Sequence, residues 1–177
     1  MSSELAFTNW QNTAGAVQQT VVNVVQTLKT DTSAISSASG TVWNDTGFQC
    51  SITPKSASNK ILIIGKFFLG TGYWEIQGKF TKNGSDITGS MGNARGSRQS
   101  CSFAALKYDS GYDEQDWFPV SYLYMDTAGT TSPLTYKLWL NSYQTYSLYI
   151  NRTENDYNGF DYYGQPSSSI TLMEIAQ

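Results

Sequence analysis

Lys60-Ile61-Leu62-Ile63-Ile64-Gly65-Lys66-Phe67-Phe68-Leu69 is the stretch that decides the fold. It is short, rich in β-branched and aromatic residues, and reads as a strand. With a period of two it is apolar on both sides. Ile61, Ile63, Phe67 and Leu69 share one face, and Leu62, Ile64 and Phe68 share the other. Trp117–Met125 behaves in the same way, with Trp117, Leu123 and Met125 set against Phe118, Val120, Tyr122 and Tyr124. An antiparallel sandwich normally leaves one face of each sheet in water. Two-faced apolar strands therefore call for a cover, either the N-terminal arm or a long loop of the same chain, or a neighbouring subunit. Exposed apolar patches mark interfaces, which favours the subunit and a homo-oligomer.

Outward from this stretch the pattern repeats. Period-two segments are expected at Thr20–Lys29, Thr41–Ile52, Tyr73–Lys82, Ser85–Thr88, Cys101–Lys107, Thr135–Asn141, Tyr146–Asn151 and Ser169–Ile175. Gly, Ser, Asn and Thr clusters separate them. Asn83-Gly84, between Phe80-Thr81-Lys82 and Ser85-Asp86, is a hairpin turn whose residues tolerate positive φ. Tyr136, Leu138 and Leu140 form the buried side of a half-buried strand. No segment holds helical spacing with caps. The reading is all-β, an antiparallel jelly-roll-like β-sandwich over residues 24–177, preceded by an extended N-terminal arm over 1–23. Residues 1–19 are polar apart from the anchors Leu5, Phe7, Trp10 and Val17, too few for a core of their own.

Composition narrows the function. The chain has 177 residues, 14% of them charged against the roughly 25% of an average protein, with 14% aromatic residues and no His. Without His there is no Ser/His/Asp or Cys/His catalysis and no mixed Cys/His zinc site. A net charge of −3 argues against a nucleic-acid partner. The start, MSSELAFTNWQ, lacks the basic and apolar regions of a signal peptide, and no apolar run approaches the roughly 18 residues of a membrane span. Synthesis in a cytoplasm is expected, with no membrane partner. Cys50 and Cys101 read as buried free thiols in strands, with a cross-strand disulfide as the alternative.

Three constellations remain. Asp109, Asp113, Glu114 and Asp116 could offer oxygen ligands to Ca²⁺, but the order of a calcium loop is missing, so a solvated loop is expected and no metal. Asp156 and Asp161 stand beside Tyr157, Phe160, Tyr162 and Tyr163. Paired carboxylates hydrolyse glycosides when suitably spaced, yet Tyr-, Asn- and Gly-rich loops are equally the composition of contact surfaces. The second reading is preferred, with no catalysis and no cofactor. Arg95 and Arg98 lie in a Gly-flanked segment with no following helix, hence a surface loop. Asn44-Asp45-Thr46 and Asn151-Arg152-Thr153 match the glycosylation pattern, which carries little without a secretory signal.

Four pieces in order carry a family resemblance. They are Val24-Val25-Gln26-Thr27-Leu28-Lys29-Thr30-Asp31; Ser51-Ile52-Thr53-Pro54 with Ser58-Asn59-Lys60-Ile61-Leu62-Ile63; Thr135-Tyr136-Lys137-Leu138 with Leu148-Tyr149-Ile150-Asn151-Arg152; and Ser168-Ser169-Ile170-Thr171-Leu172-Met173-Glu174-Ile175. Together they resemble virion structural proteins of tailed phages, especially phages of cyanobacteria and marine bacteria. The resemblance implies a jelly-roll module on the virion surface, often a homotrimer, without catalytic residues. It implies a head decoration (cement) protein bound to the major capsid protein, or a tail-fibre or spike tip, where host glycan would be the partner. A short arm, without a longer shaft, favours decoration. Leu5, Phe7, Trp10, Trp117, Tyr122 and Tyr124 are the expected partner-binding residues. Tyr157, Phe160, Tyr162 and Tyr163 form the expected surface-contact loop.

Overall fold

Alternation along the strands sorts side chains into an inside and an outside. In Leu134–Asn141, Leu134, Tyr136, Leu138 and Leu140 are buried while Thr135, Lys137 and Trp139 are half-buried on the other side. The computed structural model describes residues 20–36, 42–72, 75–106, 117–142, 145–156 and 164–177. Its strands are β1 (Val21–Lys29), β2 (Ser33–Ile35), β3 (Asn44–Ile52), β4 (Lys60–Thr71), β5 (Glu75–Lys82), β6 (Ser85–Asp86), β7 (Phe103–Leu106), β8 (Phe118–Thr127), β9 (Leu134–Asn141), β10 (Leu148–Ile150) and β11 (Ser168–Ile175). The only helical element among the described residues is a 3₁₀ turn at Thr88–Ser90.

The first sheet runs β1-β11-β4-β8, every pair antiparallel. Past the end of β11, β10 takes over as the partner of β4 at Leu69–Thr71 and carries β2 on its far edge. The second sheet runs β3-β9-β5, with β7 and then β6 on the far edge of β5. The chain crosses between the sheets at six of its ten connections, so strands from distant parts of the sequence alternate within each sheet. An all-β antiparallel sandwich is therefore what the structure shows.

Between the sheets lies an apolar core in which Ile61, Ile63, Phe67 and Leu69 of β4 are 0% exposed. The Phe67 ring sits 6.0 Å from each of the rings of Phe48, Phe80 and Phe103. Tyr122 stacks on Phe80 at 4.6 Å. Gly78 is required here, because a Cβ at that position would enter the Phe103 ring.

Two polar knots close the ends. Fully buried Glu174 accepts hydrogen bonds at Oε1 from Lys55 N (2.7 Å) and Asn59 Nδ2 (2.6 Å), fixing the β3–β4 loop against β11. Asn151, at φ +60°, donates from Nδ2 to the carbonyls of Lys29 (2.8 Å) and Asp31 (2.9 Å), and its Oδ1 accepts from Ser168 Oγ at 2.6 Å. A non-glycine residue at positive φ is strained, and this bonding holds it in place.

The strand expectations hold in kind and shift at their ends. β1 starts at Val21 and is paired to β11, so Val21–Asn23 belong to the sheet and not to the arm. β2 was not foreseen. The hairpin turn at Asn83 (φ +49°) and Gly84 (φ +84°) is present, but β6 is only Ser85–Asp86 before the chain enters the 3₁₀ turn. Cys50 and Cys101 are free thiols. Cys50 is buried on β3, whereas Cys101 is half-buried and precedes β7 rather than lying in it. Burial, and to a lesser extent the Glu75 carboxylate, pushes the Cys101 thiol up.

Candidate functional site

Opposite partners in an antiparallel ladder share a face, so register alone lays out the outer surface of the first sheet. One row across four strands is Val24, Met173, Leu62 and Met125. The next is Gln26, Thr171, Ile64 and Leu123. Leu123 is 69% exposed, Leu28 57%, Val24 51% and Met125 44%, so the described chain leaves this apolar surface in water. Two cations stand on it, and both are engaged: Lys60 Nζ donates to Thr127 Oγ1 at 2.7 Å, and Lys66 lies 5.0 Å from the centre of the Phe68 ring.

The structure divides the residues expected to bind partners. Tyr122 is buried at 7% exposure and Tyr124 packs against the core, so β8 turns these aromatics inward and presents Leu123 and Met125 instead. Tyr122 is therefore corrected from a partner contact to a core residue, and Tyr124 to a residue at the core margin. Burial raises the Tyr122 phenol above its ordinary value, and the hydroxyls of Ser90 and Ser102 oppose that shift. Trp117 is half-buried, edge-on to Phe68 at 6.3 Å, and belongs to the first sheet's rim. Leu5, Phe7, Trp10, Asp109–Asp116, Tyr157, Phe160, Tyr162 and Tyr163 lie outside the described residues.

A small polar pocket of about 40 Å³ adjoins that rim, lined by Trp117, Asn151, Arg152, Asp156 and Gln165 among others. Arg152 is held over the Tyr149 ring at 4.7 Å, and its Nη1 reaches Asp156 Oδ2 at 3.6 Å. The Trp117 indole N–H is buried without a partner among the described residues.

The outer face of the second sheet differs in kind. Lys79 pairs with Asp86 at 2.7 Å and lies 4.8 Å from the Trp43 ring centre; Lys137 pairs with Asp45 at 2.9 Å. Trp139 stands between these pairs, opposite Lys79 on one side and Asp45 on the other. The sequence reading placed Trp139 only as the non-core side of its strand. A large aromatic at an outward position was the available signal.

The described residues contain no group of three or more His, Cys, Asp and Glu suited to a metal ion, and Asp161, the expected companion of Asp156, lies outside them. No protein-family model matches the chain, and no curated protein matches it.

Proposed function

We propose that this chain is a structural protein of a tailed-phage particle, and within that class a head decoration protein that joins the major capsid protein as a homotrimer on the virion surface. The observation that carries the reading is the apolar outer face around Leu62, Ile64, Leu123, Met125 and Met173. Burying roughly 300 Å² of such surface, at about 25 cal/mol per Å², contributes about 7 kcal/mol before the costs of association. The ordered sequence pieces that resemble phage virion proteins support it too. Their residues meet in space: Glu174 joins the Ser51–Ile63 piece to the last strand, and Asn151 joins the Val24–Asp31 piece to β10.

A second reading, a fibre or spike tip, is favoured by the Trp117–Arg152–Asp156 pocket, whose Asp156 directly precedes the aromatic segment Tyr157–Tyr163 in sequence. Imaging of particles that carry a tagged copy of the chain separates the two, with density on the head expected. Light scattering on the purified protein at micromolar concentration should give a trimer. A monomer there would sink the assembly role of the apolar face.

A further inference from the structure

The outer face of the second sheet carries a groove of about 300 Å³, at the lower end of ordinary ligand sites. Its wall is Trp139, whose Nε1 donates to Thr81 Oγ1 at 3.1 Å, with Thr81 itself 3% exposed. The ring is thus fixed before any ligand arrives. Around it stand Gln49, Asn83, Thr135 and Lys137. Asn83 is locked over β9, since its N–H donates to Thr135 O at 2.9 Å and its Oδ1 accepts from Thr135 N at 2.8 Å. That leaves the Asn83 amide N–H groups uncommitted among the described residues. Gln49 is exposed directly opposite Lys137.

We propose that this groove binds a neutral saccharide chain, with Trp139 stacking on the C–H face of a pyranose ring and Gln49, Asn83 and Lys137 meeting its hydroxyls. The chemistry selects the ligand. An aromatic face prefers a flat, weakly polar C–H surface. Carboxamides and an ammonium group match hydroxyls, which both donate and accept. The Lys137 charge is neutralised by Asp45, so no anionic polymer is favoured. The groove is open to solvent on the sheet surface. This inference does not rest on the particle role: the groove and the apolar face lie on opposite sheets, and both can be filled at once.

The test is a titration of the full chain with cello-, malto-, xylo- and chitohexaose, and with an oligogalacturonate as the charged control, followed by amide and indole NMR shifts. Binding of at least one neutral hexaose at sub-millimolar concentration is expected, with shifts at the Trp139 indole and at Gln49. Trp139→Ala should weaken it about tenfold or more, the behaviour of an aromatic anchor. Gln49→Ala, at an exposed position that leaves the fold intact, should weaken it several-fold and guards against misfolding of the Trp variant. The proposal fails if no neutral hexaose moves these signals at millimolar concentration. It fails equally if the shifts map to the Trp117–Arg152 pocket, or if only the charged oligomer binds and salt abolishes it.

Discussion

On β4 of the first sheet the outward residues include Leu62, Ile64 and Phe68; on β9 of the second they are Thr135, Lys137 and Trp139. Both strands are central in their sheets, and both turn fully buried apolar side chains toward the same core. The core therefore does not explain the difference. Ion pairs such as Lys137–Asp45, with 27% and 43% of their side chains exposed, stabilise a fold by only tenths of a kcal/mol. Exposed Leu123 and Met125 add nothing to the monomer. The fold itself thus leaves the character of each outer face open, and the proposed roles assign apolar contact to one side and polar recognition to the other.

Neighbouring residues of β4 test this most sharply. Ile63 points into the core and is 0% exposed, so Ile63→Ala should destabilise by about 2–5 kcal/mol in denaturant unfolding. Ile64 points outward, and Ile64→Ala should cost less than about 1 kcal/mol in dilute solution, with a larger loss only at concentrations where the protein associates. Equal losses in dilute solution would erase the distinction between the faces. Next in size is assembly: the double change Leu123→Lys and Met125→Lys should weaken self-association about a hundredfold in sedimentation or light scattering while leaving the unfolding midpoint of the dilute protein in place. An unchanged association constant would move the interface elsewhere.

The smallest effect concerns pH. Burial alone would raise the Asp45 carboxyl, but the Lys137 ammonium and the Gly47 N–H, which donates to Oδ1 at 2.8 Å, outweigh it and hold the group below 3.8. A group with a lowered folded value contributes stability at neutral pH and loses it as pH falls through that value. Asp45→Asn should therefore change stability at pH 7 by less than about 1 kcal/mol and flatten the acid side of the stability curve below about pH 4. An unchanged acid slope in the variant would show that the ion pair contributes nothing to the folded state.

Period-two alternation made most strands readable, because each inward position had to be apolar. The method failed where both faces of a strand are apolar. In Phe118–Thr127 nothing in the pattern says that Tyr122 goes inside and Leu123 outside; that choice is made by Phe80, which offers Tyr122 a stacking partner from the opposite sheet. Ser33–Ile35 was missed because three residues carry no period and owe their strand state to β10. Glu174 was legible only as part of a resemblance, since its role depends on backbone donors at Lys55 and Ser56 that no local pattern connects to it. Trp139 was visible as an outward aromatic, but the groove beside it needs Asn83 from the β5–β6 turn and Gln49 from β3.

The place of β11 between β1 and β4 has a consequence for the timing of synthesis. Gln26 and Thr171, which are hydrogen-bonded across β1 and β11, are 145 residues apart in sequence. At about 5–20 residues per second, β1 leaves the ribosome roughly 7–30 s before its partner strand is made. Through that interval Val24 and Leu28 have no ladder to join, and the long edge of β4 that will receive β11 is open. The sandwich closes only after translation has passed Ile175, and its folding is slow because its contacts are distant. A chain halted a few residues earlier would be released with the middle of its first sheet missing, and would be a substrate for aggregation or degradation instead of a weakened version of the same protein.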